Sequence, residues 1–149
     1  MRKLVGVIVL LALAGFPAAW GKDEETVEQL IARADAARPD QQPDLYMQAA
    51  QRELKSAVEA YKTDKLEDFR VAVQQTVKYS DSAHAAAIRS NKHLKPTEIK
   101  IRQIAIRLRD VMLNVDADEQ PGVQAAIDRL EGFRTELLQA MFGSKGNEK

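Results

Sequence analysis

With no cysteine in the chain, its two histidines are the side chains best suited to metal or acid–base chemistry. The missing thiols exclude disulfide frameworks, thiolate zinc sites, iron–sulfur ligation, c-type haem attachment and cysteine nucleophiles together. His84 lies in a long helical stretch, with Ser80 one turn before it and Asn91 two turns after it. At about 100° per residue these three continue the stripe begun by Leu66, Phe69, Val73 and Val77, so the spacing predicts a core face that turns polar halfway along. Helical bundles host metals, haem and small ligands on such faces, and Met47 or Met112 could serve as an opposing axial donor. Three features weigh against a ligand site. His93 is nine residues further on, in a connector; there is no Glu-x-x-His pair; and Asp81 projects from a different face. The favoured reading is a polar core of Ser80, His84 and Asn91 around a hydrogen-bonded, semi-buried histidine, with no cofactor and no metal. A small carrier of haem, metal or ligand near His84 is the alternative.

Nothing else in the sequence points to catalysis. There is no nucleophile paired with a base, no phosphate-cradling glycine loop and no dinucleotide fingerprint. The carboxylates fall on faces expected to be solvated or at helix caps. The expectation is a protein that is not an enzyme.

Two further patterns fall on the fourth of five predicted helices. Its main apolar stripe is Ile101, Ile104, Ala105, Leu108, Val111, Met112 and Val115, and a second stripe of Ile99, Ile106 and Leu113 recurs every seven residues about 150° away. A helix apolar on two sides either docks a partner, protein or second copy, or is central and covered on its outer side by the short first helix. Around it, Arg89, Lys92, Lys95, Lys100, Arg102, Arg107 and Arg109 are accompanied by one acid, Glu98. Arg102 and Arg109 flank the core stripe on one side, Lys100 and Arg107 on the other. Such a cluster could attract an anionic surface or an acidic partner. The plainer reading pairs it with Asp23, Glu24, Glu25, Glu28 or the turn from Asp116 to Glu119. Nucleic-acid binding is not expected, because the 22 basic and 22 acidic side chains balance and no aromatics interleave the cations.

The elements that must carry these residues are helical. No glycine occurs between Lys22 and Pro121, which makes tight hairpins of strands hard to build, and Pro39, Pro43, Pro96 and Pro121 divide the chain into stretches suited to helix. The predicted helices run from about Glu24 to Ala37, from Pro43 to about Tyr61, from Lys65 to Asn91, from Pro96 to Val115, and from Pro121 to about Phe142. Asp64 followed by Glu67 predicts a capping-box variant at the start of the third. The expected fold is all-α, an up-and-down bundle or a pair of antiparallel hairpins with one extra helix, spanning 22–142 before a flexible tail over 143–149. The turn from Tyr61 to Phe69 does not fit the tetratricopeptide pattern.

The first 21 residues are expected to lie outside this domain. Arg2 and Lys3 precede an apolar run from Leu4 to Ala14, and Ala19-Trp20-Gly21 precedes Lys22-Asp23-Glu24-Glu25, the layout of a secretory signal peptide cleaved after Gly21. Cleavage would leave 20 basic and 22 acidic groups, a formal charge of −2, in the periplasm or outside the cell.

Several segments carry a family likeness: Ala34 to Pro39, Tyr46-Met47, Lys65 to Asp68, Lys92 to Lys95 with Glu98 to Arg102, and Arg134 to Leu138 before Met141-Phe142-Gly143. Together they resemble uncharacterised small exported all-helical proteins of soil bacteria. The resemblance implies an exported bacterial helical protein and no activity, cofactor or site. The expected role is a protein-interaction or structural module of the cell envelope, with Ile99, Ile106, Leu113, Arg102 and Arg109 as partner contacts.

Overall fold

The computed structural model describes residues 24–143. The expected leader over 1–21, and all of the expected tail but Gly143, lie outside the described residues. Five helices account for nearly all of the rest: α1 (Val27–Ala36), α2 (Gln42–Lys62), α3 (Leu66–Ser90), α4 (Leu94–Asn114) and α5 (Gln120–Phe142). No strand occurs among the described residues.

Local chemistry explains where the helices begin. Thr26 and Gln29 form a reciprocal capping box on α1, each side chain bonded to the other's backbone N–H. Pro43 and Pro121 sit in the first turns of α2 and α5, where a missing N–H costs nothing. α4 starts two residues before Pro96, which still falls within its first turn.

Where the backbone must reverse its hand, three residues other than glycine do so: Asp64 (φ 58°), Asn91 (φ 50°) and His93 (φ 58°). These residue types tolerate the left-handed region better than most. Asp64 therefore does not cap α3. Its N–H reaches the Tyr61 carbonyl and that of Lys65 reaches the Ala60 carbonyl, the paired bonds of a Schellman close to α2. α3 begins at Lys65 without a side-chain cap.

The arrangement is two antiparallel hairpins with one extra helix. Hairpin α2/α3 stacks on hairpin α4/α5, so that α2 lies beside α4 and α3 beside α5, while α3 also touches α4. The α2/α4 and α3/α5 pairs run parallel: Asp44 meets Lys100 near the starts of α2 and α4, the Tyr61 hydroxyl meets the Asn114 carbonyl near their ends, and Arg70 meets Glu119 at the starts of α3 and α5. The α2/α3 seam is lined by buried alanines, including Ala50, Ala57, Ala72, Ala83 and Ala87, which let two helices approach closely. Larger side chains fill the centre: Met47, Phe69, Ile101, Ile104, Leu108, Leu130 and Leu137. Ile88 of α3 and Leu138 of α5 are exposed.

The short first helix does not cover α4. α1 folds back antiparallel on α2, the one helix whose backbone it closely approaches among the described residues. It is held by Tyr46 to Asp35, Gln42 to the Ala34 carbonyl, and Arg52 to the Glu25 carbonyl. Leu30 and Ala34 are its buried residues.

Candidate functional site

The polar half of α3 is built first by the helix itself. Thr76 donates to the Ala72 carbonyl at 2.8 Å and Ser80 to the Thr76 carbonyl at 2.7 Å, so both buried hydroxyls are satisfied four residues back. One turn on, the His84 ring stacks on Phe133 of α5 with centroids 5.0 Å apart and planes 22° from parallel. Its Nε2 comes within 2.7 Å of Glu136 Oε2 and its Nδ1 within 3.5 Å of Asp81 Oδ1. Neither approach meets hydrogen-bond geometry, so the imidazole expected to be semi-buried and hydrogen-bonded is instead buried with no hydrogen-bond partner on either ring nitrogen among the described residues. The Arg129 guanidinium lies over the Phe133 ring, 5.2 Å from its centroid.

Asn91 does not belong to this group. It is exposed, in the left-handed conformation that ends α3, and the polar core is Thr76, Ser80 and His84 instead. The helical stripe had already ended by Asn91, which is why extrapolating its period failed there. Among the described residues no three His, Asp or Glu side chains are disposed to hold a metal ion.

Three of the cations around α4 find acids, but not the expected ones. Lys100 Nζ bonds Asp44 of α2 at 3.0 Å and Arg109 bonds Glu131 of α5 at 2.8 Å, while Arg102 Nε stands 3.9 Å from Glu98. The seam between α4 and α5 is thus a chain of charges, in which Arg134 bridges Glu98 and Glu131 at 2.8 and 2.7 Å. Burial works against the Arg134 charge, but hydrogen bonds and attraction from the two carboxylates outweigh it and hold its value above normal. Of the acids expected to pair with them, Glu25 instead bonds Arg33 of α1 at 2.9 Å.

Outside that seam the second stripe of α4 faces solvent. Ile106 is 50% exposed and Leu113 80% exposed, with Ile99 half-buried. Three large aliphatic side chains at seven-residue intervals are a costly thing to leave in water, at about 1.5 to 3 kcal/mol of burial free energy each when fully covered.

A separate groove of about 440 Å³ runs between the first halves of α3 and α5. Its floor is Phe69, Val73, Val77, Val123 and Ala126, and its rim carries Arg70, Glu119, Asp118 and Arg129. Arg70 and Glu119 close on each other at 2.6 Å. The pair is 49 residues apart in sequence, so no local pattern announces it. The groove was therefore invisible from spacing, although the valines that floor it were legible as a stripe.

Comparison with known protein families, with curated proteins and with solved structures gives no significant match to the chain. The functional reading therefore rests on the molecule's own geometry.

Proposed function

We propose that this protein is an exported, non-enzymatic helical module of the cell envelope that acts by binding another protein surface through the outer face of α4. The observation that carries this reading is the exposure of Ile106 and Leu113 on a helix whose opposite face is already fully packed. Ile99 extends the same stripe, and Arg102 and Arg109 border it. Export is supported by the three-part layout of the first 21 residues. Among the described residues no helix is long and apolar enough to cross a membrane.

A carrier role near His84 has less behind it. The imidazole is buried against Phe133, and the α3/α5 groove is lined by other residues. The exposed cations Lys92, Lys95 and Arg107 leave room for attraction to an anionic surface, as a secondary contribution to docking.

The test is Ile106→Asp in protein purified from the export fraction. Far-UV circular dichroism and the unfolding midpoint should stay at parent values, because the side chain is outside the core, while capture of the protein's binding partner from envelope extract should be lost. Undiminished capture by a folded Ile106→Asp variant would overturn the reading.

A further inference from the structure

Resting on that reading, we propose that the surface α4 recognises is α4 of a second copy, packed antiparallel about a two-fold axis through Ile106. The residues on this face match their own reverse. Inverting α4 about position 106 sets Ile106 against Ile106, Ile99 against Leu113, and Arg102 level with Asp110 across the seam.

The charges select this orientation. Within the chain Arg102 has only a 3.9 Å approach to Glu98, and Asp110 has no ion pair among the described residues. Both are exposed and lie on either side of the apolar stripe. In the antiparallel arrangement the Arg102 of each copy meets the Asp110 of the other, so the pair forms twice in the dimer. In a parallel arrangement each would face its own kind, which costs binding energy. Arg109, the other cation on that border, is already neutralised by Glu131 at 2.8 Å and does not oppose the pairing. The apolar part is equally self-complementary: six aliphatic side chains, three from each copy, would leave water together.

The absence of cysteine makes the register directly measurable. Single cysteines are introduced at three positions of the exported protein, which is then oxidised mildly. Ile106→Cys should form a disulfide-linked dimer on its own. Leu113→Cys alone should not, whereas Leu113→Cys mixed with Ile99→Cys should. In sedimentation equilibrium the parent should associate at micromolar concentration, with Arg102→Asp and Asp110→Arg each weakening association by about tenfold and the double exchange restoring most of it.

A parent that stays monomeric, a Leu113→Cys variant that links to itself as readily as Ile106→Cys, or a charge exchange that restores nothing would each overturn the two-fold pairing. These outcomes differ from failure of the broader reading. If the parent is monomeric yet Ile106→Asp still abolishes capture from envelope extract, the pairing falls and the α4 surface belongs to a different protein. If Ile106→Asp changes neither association nor capture, both fall.

Discussion

Arg134 of α5 places its Nη2 2.8 Å from Oε1 of Glu98, a carboxylate whose side chain is only 7% exposed although it sits in the first turns of α4. The two are 36 residues apart, and together with Glu131 they lock the α4/α5 hairpin from the side. Removing one member should leave the other buried with too few partners. Glu98→Ala is expected to lower unfolding free energy by about 3 kcal/mol in urea titrations, whereas replacing both residues with leucine should be close to neutral. Equal stability of Glu98→Ala and parent would show that Glu131 alone satisfies the guanidinium.

The Arg70–Glu119 pair predicts an acid limb. Hydrogen bonds from Arg70 hold the Glu119 carboxyl below its ordinary value of 4.5, against the opposing effect of desolvation. Because the folded value is the lower one, the stability it contributes is fully present above the ordinary carboxylate range. It is lost as pH falls through the depressed folded value. Glu119→Gln should flatten that part of the stability–pH curve while leaving the slope above pH ~6 unchanged. Thermal melts across the acid range would show it.

An alkaline counterpart comes from Tyr46. Burial, then its hydrogen bond to Asp35, push the phenol up to about 12 from an ordinary 10. Here the folded value is raised, so the contribution is present below pH 10 and disappears as pH rises towards about 12. Phenolate absorbance during a pH titration should show Tyr46 ionising late, and Asp35→Asn should bring it part of the way back. A full return to 10 would mean burial plays no part.

The left-handed joints offer a stabilising change. Asp64→Gly removes the steric cost of φ 58° while keeping both backbone bonds that close α2, and should raise stability by up to about 1 kcal/mol. Asp64→Val should lower it by a similar amount or more, since a β-branched residue resists that conformation. Chemical unfolding of the two variants side by side would decide.

What the sequence made legible follows from how local each signal is. Helix limits were readable within a few residues because proline and apolar spacing act on neighbours, as at Pro43 and Pro121. The outer stripe of α4 was readable for the same reason. Whether α1 covers that stripe was not, because it depends on the route of the chain through the 37–41 turn. That turn returns α1 along α2. The Asp64 cap misread one end as another: the close of α2 claimed the residue before α3 could. Ion-pair partners such as Lys100 with Asp44 join different helices and leave no trace in either segment.

The stacking of one hairpin on the other also fixes where electrical polarity accumulates. Since α2 runs with α4 and α3 with α5, two positive helix ends meet at one pole of each layer, a repulsive juxtaposition by itself. Each such junction holds an acid. Asp44 sits in the first turn of α2 beside His93 and Lys100 of the α4 start, and Glu119, the residue before α5, meets Arg70 in α3. These carboxylates act as dielectric mortar between like-signed ends, so neutralising both at once should loosen the joint between the hairpins before either hairpin melts.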